Sequence, residues 1–92
     1  MALLSAFHVK IYGKVQGVGY RYSALRAAER YGVAGWVRNE FDGTVEVFVE
    51  GEAEKVNKYL VWLKKGPVGC YVRQVLKQKA TPKNYTRFFI DY

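Results

Sequence analysis

Twice within 92 residues the hydrophobic period of this chain switches from two to about 3.6 and back, and that ordering restricts the fold more than any other feature. "AFHVKIYG" alternates, with Phe7, Val9 and Ile11 on one side and His8, Lys10 and Tyr12 on the other, as a half-buried strand does. "RYSALRAAERY" is alanine-rich, is built from good helix formers and stops at Gly32. "VAGWVRNE" is rich in β-formers, "FDG" carries an Asp-Gly turn signal, and "TVEVFVEG" alternates with Val45, Val47 and Val49 inward. Residues 34–51 are therefore predicted to form a hairpin. In "EAEKVNKYLVWLKKG", Ala53, Val56, Tyr59, Leu60 and Leu63 recur at helical spacing; two acids open the segment, Lys64 and Lys65 close it, and Gly66-Pro67 ends it. "CYVRQVLKQKA" reads as a strand whose inward positions, Val72 and Val75, fall out of step, which predicts a bulge. "TPKN" reads as a turn and "YTRFFIDY" as a last strand with Phe88 and Ile90 inward.

The resulting order, β-α-β-β-α-β with an extra C-terminal strand, predicts an α+β fold. It is the ferredoxin-like split βαβ sandwich, an antiparallel sheet carrying two helices on one face. The length suits one domain over residues 1–92, with residues 1–6 as a short N-terminal extension. Half the residues are hydrophobic and 16% aromatic, enough for one core. No apolar run reaches the roughly 18 residues of a membrane span, so no membrane is expected. "MALLSAF" has neither the cationic start nor the apolar length of a signal peptide, and the expected location is cytoplasmic. Cys70 and His8 are the sole cysteine and histidine, which excludes a zinc-finger type of metal site and an internal disulfide. A Ser-His-Asp triad would need His8 as its base. His8 is expected to be an exposed strand residue, Cys70 a small partly buried hydrophobe, and Trp36 and Trp62 packing residues.

The net charge of +7 is uneven. Residues 1–51 carry six Lys/Arg against five Asp/Glu, and residues 52–92 nine against three. Such a surplus suits anionic partners, small phosphates and nucleic acids alike, or simply a soluble basic surface.

"GKVQGVGYR", Gly13 to Arg21, links the first strand to the N-terminus of the first helix. A helix start presents unpaired N–H groups and a partial positive charge, and glycines let the preceding amides converge, so this geometry suits a phosphate. It is neither a Walker A loop nor a dinucleotide fingerprint, since no Gly-Lys-Ser/Thr follows and Gly17-Val18-Gly19 lacks the third glycine. Arg21 stands where a cation opposes the helix dipole at a cost of roughly 0.3–1 kcal/mol. It is either a surface arginine or the partner of an anion held between itself and the helix.

"GKVQGVGYR" followed by "GWVRNEFDGTVEVFVEG" resembles both signature patterns of the acylphosphatase family, G-x-V-Q-G-V-x-F/Y-R and G-W-V-x-N-x-x-D-G-x-V-E. The likeness extends through "YLVWLKKGPVGCYV" to the closing "YTRFFIDY". The resemblance implies a ferredoxin-like hydrolase that splits the carboxyl–phosphate bond of acyl phosphates into carboxylate and inorganic phosphate, with no cofactor and no metal. It implies that the backbone N–H groups of Gln16, Gly17, Val18, Gly19, Tyr20 and Arg21 cradle the phosphate. Arg21 clamps it, and Asn39 positions the attacking water. Its implied partners are a small acyl phosphate and, as a bound anion, inorganic phosphate or sulfate. Two positions depart from the pattern: Ala24 stands where many relatives carry threonine, removing a hydroxyl near the helix start, and Tyr20 stands where phenylalanine is commoner.

The implied chemistry fits these residues. By analogy with side-chain carboxyls, the leaving carboxylic acid has a pKa near ~4 and needs little protonation, so positioning and charge stabilisation suffice. From the residues alone, Asn39 is also explained as a polar residue beside a turn. Two other readings stay open at this point. One is an RNA-recognition module stacking bases on Tyr12, Phe48 and Phe89, against which Glu46 and Glu50 beside Phe48 would repel a phosphate backbone; no nucleic acid is expected. The other is a free-standing relative of the acylphosphatase-like domain of larger carbamoyl-transfer maturation proteins. The sequence leaves the oligomeric state and the physiological acyl phosphate undetermined.

Overall fold

A computed structural model describes residues 3–92. Its elements follow the predicted order: β1 (Leu4–Lys14), α1 (Tyr20–Tyr31), β2 (Ala34–Asn39), β3 (Val45–Glu52), α2 (Ala53–Lys65), β4 (Tyr71–Lys79) and β5 (Phe88–Ile90). They form one five-stranded sheet in the order β4-β1-β3-β2-β5. The alternation read from the sequence becomes cross-strand register. Phe7, Val9 and Ile11 oppose Val49, Val47 and Val45, and Val37 opposes Val47 from the other side. This face carries the helices. Val9, Ile11, Val37, Val45, Val47 and Val49 are buried against Ala24, Ala27 and Ala28 of α1 and Val56, Tyr59, Leu60 and Leu63 of α2. At ~1.5–3 kcal/mol for each large side chain buried, this cluster supplies most of the driving force.

Two hydroxyls tie the helices together. Tyr20 Oη donates to the Leu63 carbonyl (2.8 Å) and Tyr59 Oη to the Ala24 carbonyl (2.9 Å). Burial raises the pKa of both phenols, so they remain protonated donors. Ala24 is fully buried, and its carbonyl belongs to this inter-helix link. Helix α1 stops at Gly32, whose N–H donates to Ala28 (2.9 Å); α2 stops at Gly66, whose N–H donates to Trp62 (2.8 Å).

The predicted bulge lies between β1 and β4. Tyr12 pairs with Gln74 and Gly13 with Val72, which leaves Arg73 as the extra residue. Gly13 is required there: its φ is +140°, and a Cβ would sit 2.0 Å from the Tyr71 carbonyl oxygen.

Five expectations need correction. The sheet is not purely antiparallel, because β5 runs parallel to β2, pairing Gly35 with Phe88 and Val37 with Ile90. The reason is topological: β4 occupies one sheet edge and β5 the other, so the chain must cross the sheet between them. Second, residues 80–87 make that crossing as an extended segment, in place of the turn expected at "TPKN". The Ala80 N–H donates to the Ala6 carbonyl, the Lys83 and Tyr85 N–H groups donate to the buried Glu50 carboxylate, and the Arg87 carbonyl accepts from Gly35 (3.1 Å). Third, residues 4–6, assigned to an extension, belong to β1 and pair with residues 50–52, while residues 1 and 2 lie outside the described part. Fourth, His8 is not an exposed strand residue. Its ring packs edge-on against Phe48 (5.1 Å) and Trp36 (6.0 Å). Fifth, Phe48, read as an outward aromatic, is fully buried among His8, Trp36 and Tyr85, so no base can stack on it.

Candidate active site

The fold brings the glycine-rich loop against the end of the β2–β3 hairpin. After β1, the chain turns through Gly17 (φ +75°) and Gly19 (φ +82°), left-handed conformations that ordinary side chains enter at a cost of roughly 1–2 kcal/mol. Gly19 is the N-cap of α1 and has no side chain to satisfy the helix's first donors. Among the described residues, no protein acceptor stands in hydrogen-bonding geometry to the N–H groups of residues 17–21. The first turn holds no acidic residue, and its second residue is Arg21. The unsatisfied donors, the dipole and a guanidinium thus converge on one concavity.

That concavity, about 260 Å³, is lined by Val15, Gly17, Gly19, Tyr20, Arg21, Tyr22, Asn39, Ile90 and Tyr92. Asn39 is the last residue of β2, on the helix-facing side of the sheet beside Val37 and opposite Val45. Its Oδ1 is buried without a hydrogen-bond partner. A buried acceptor left in that state costs about 1–3 kcal/mol and suits an incoming O–H donor such as a water.

The predicted site residues do not all have the same role in the structure. Gly17, Gly19, Tyr20, Arg21 and Asn39 line the cavity. The side chain of Tyr20 turns inward to the core. Val18 lines neither this cavity nor its neighbour, and its carbonyl accepts a weak bond from Cys70 Sγ (3.8 Å). Burial raises the pKa of the Cys70 thiol. Gln16, assigned through its backbone, contributes its side chain as well. Its amide N–H groups donate to the carbonyls of Glu40 and Thr44, both at 2.8 Å, and so fasten the loop to the hairpin.

The hairpin end is itself braced. Asp42 Oδ1 accepts from the Thr44 hydroxyl and N–H, while Oδ2 pairs with Lys10 (2.9 Å). The Thr44 bonds, then the Lys10 cation, hold the Asp42 carboxyl well below the usual carboxylate range. Arg38 ties Glu40 (2.8 Å), Glu46 (2.7 Å) and Asp91 (3.5 Å) together over the Trp36 ring. Its guanidinium lowers the pKa of Glu40.

Tyr92 was not singled out by sequence reasoning. Its ring stands 5.3 Å from the Arg21 guanidinium, a contact that offsets part of the dipole cost on that cation. The one sequence signal was an aromatic residue at the end of the last strand.

The profile of the acylphosphatase family matches residues 7–90, which include every residue of the cavity except Tyr92. The chain belongs to the acylphosphatase family. It is 46% identical over 88 residues to an acylphosphatase from Bordetella parapertussis, covering 95% of this chain and 94% of that one. Its fold is similar to that of acylphosphatases from Bacillus subtilis (TM-score 0.92, 31% identity, 98% of this chain and 100% of that one) and Coxiella burnetii (TM-score 0.91, 33% identity, 96% and 93%). Family and fold together support acyl phosphate hydrolysis as the activity of this acylphosphatase. Among the described residues, no helix is long and apolar enough to cross a membrane, and no three His, Cys, Asp or Glu side chains are grouped to hold a metal ion.

Proposed function

We propose that this acylphosphatase holds the phosphoryl group of an acyl phosphate in the loop-to-helix concavity and lets a water held by Asn39 attack phosphorus. The observation that carries the reading is the meeting of Arg21, the free loop amides and the unpartnered Asn39 Oδ1 at one cavity. The N–H groups of residues 16–21 and the Arg21 guanidinium would stabilise the charge on the phosphoryl oxygens. The Asn39 amide accepts one O–H of the water and aims its oxygen without removing a proton. The water–phosphorus bond forms as the phosphorus–carboxyl oxygen bond breaks; the electron pair leaves on a carboxylate, a weak base whose conjugate acid has a pKa near ~4, and the proton that the water gives up passes to a phosphoryl oxygen of the departing phosphate. Proton uptake by the leaving group is unnecessary, so no general acid has to be supplied, and the reaction is expected to run without metal or cofactor. Inorganic phosphate, the product, and sulfate, its analogue, should occupy the same concavity. The expected location is cytoplasmic.

Inorganic phosphate tests this directly. It should inhibit competitively against an acyl phosphate, and titration should perturb the amide resonances of residues 16–21. In Arg21→Ala the inhibition and the perturbations should both weaken by at least tenfold. Phosphate binding that is indifferent to Arg21 would refute the assignment.

A further inference from the structure

The sheet ends on one side in β4, which pairs with β1 alone, so alternate residues along it turn their N–H and C=O groups outward. The opposite edge, β5, has only three residues, whereas β4 has nine. Among the described residues, no further strand or loop makes a backbone hydrogen bond to residues 71–79. Beside this edge, on the helix-bearing side of the sheet, runs a groove of about 390 Å³. Asn57, Leu60, Val61 and Lys64 of α2 form one wall, and Val75 and Lys77 of β4 the other. The middle of the groove is therefore aliphatic and its rim cationic. Val61 is 71% exposed there, with nothing packed over it.

Charge selects what can cover this edge. β4 carries Arg73, Lys77 and Lys79 and no acid, and α2 carries four lysines against one glutamate. Among the described residues, none of Lys64, Arg73, Lys77 and Lys79 is in a salt bridge. A second copy presenting its own β4 would set three cations against three, so the edge is guarded against self-pairing. An anionic bilayer or an RNA would meet the charge but offers no strand for the outward N–H and C=O groups. The groove also has no aromatic side chain on which a base could stack. An extended acidic segment meets both demands.

We propose that β4 is a docking edge for an extended acidic segment of another protein, which adds a strand to the sheet and lays an aliphatic side chain in the α2–β4 groove. Alternation sets the motif. Val75, Lys77 and Lys79 share the helix-bearing face, opposite Ile11, Val9 and Phe7, and Lys77 Nζ lies 5.4 Å from the Phe7 ring. A segment paired with β4 places every second side chain along this row, an aliphatic one beside Val75 and acids beside Lys77 and Lys79. In antiparallel pairing it reads acid-x-acid-x-aliphatic from its N-terminus. No residue of β4 lines the loop-to-helix concavity, so docking is separate from hydrolysis.

The probe is a fluorescent, end-blocked peptide with glutamate, glutamate and valine at alternate positions and threonine between them, titrated with the full chain. Its affinity should fall as salt rises, and a peptide with lysine in place of glutamate should not bind. Lys77→Glu combined with Lys79→Glu should weaken the acidic peptide by about tenfold or more, let the lysine peptide bind, and leave benzoyl phosphate hydrolysis unchanged. Circular dichroism of that variant should match the wild type, because both lysines are exposed. Methylating one alternate set of the peptide's amide nitrogens should abolish binding, and methylating the other set should not, because only one set faces β4. Equal binding by the two methylated peptides would overturn the proposal, as would no binding of the acidic peptide. Phosphatidylserine vesicles or single-stranded RNA bound beyond displacement by the peptide would overturn it too, as would a dimer of this chain that the peptide does not dissociate.

Discussion

Arg21 and Asn39 gain their meaning from opposite local defects. Arg21 is a cation at the positive end of a helix with no acid in the first turn, and Asn39 is an acceptor buried without a donor. On the function proposed above, a phosphate and a water would remove both defects. Removing each residue should therefore damage catalysis without damaging the fold. Arg21→Ala should lower kcat/KM by at least ~10³-fold, and Arg21→Lys should recover only part of it, because an ammonium cannot reproduce the guanidinium fork. Asn39→Ala should lower kcat by ~10²–10³-fold and leave KM within a few-fold. Its thermal midpoint should stay within a few degrees, since Asn39 Oδ1 makes no internal hydrogen bond to lose. A folded Asn39→Ala enzyme with wild-type kcat would remove Asn39 from the mechanism. Arg21 stood out in the sequence as a broken helix rule. Asn39 did so only through its motif, because the orphaned oxygen is a tertiary fact.

The site at the scale of elements is a loop held by a hairpin. Gln16 reaches across 24 and 28 positions of chain to the carbonyls of Glu40 and Thr44. Gln16→Ala breaks both bonds, at about 1 kcal/mol each. The expected outcome is a thermal midpoint lower by several degrees and a phosphate affinity weakened several-fold, measured by calorimetry and inhibition. Unchanged phosphate affinity would show that the loop holds its shape unaided. Asp42 makes the hairpin acid-sensitive. Its carboxyl has a lower pKa folded than unfolded, so its stabilisation is complete above the unfolded value of about 3.9 and fades as the pH falls below it. Asp42→Asn should melt earlier than the wild type at pH 7, and the gap should close as both are titrated below pH ~4; a gap that is constant across that range would contradict the ionic role. The helices, the hairpin and the β4 bulge were legible in the sequence because each rests on local periodicity or turn chemistry. The Gln16 fastening was not, since an amide side chain shows nothing of its partners in sequence.

The molecule as a whole repeats that division. The ferredoxin-like order was readable from residues 6 to 79. The path of residues 80–87 was not, because it is set by which sheet edge each strand occupies and by a buried Glu50 that accepts two backbone N–H groups. That crossing also covers Phe48, removing the base-stacking platform that the alternation alone had left open. It delivers β5 beside β2, so that Ile90 and Tyr92 line the loop-to-helix concavity from the C-terminal end. The most direct measurement for the whole account is hydrolysis of benzoyl phosphate by the purified protein in excess EDTA, beside Arg21→Ala. The account predicts phosphate and benzoate released in equal amounts at a rate that EDTA does not alter and that Arg21→Ala all but abolishes. Hydrolysis no faster than in buffer, or activity that disappears with EDTA and returns with a divalent metal, would contradict it.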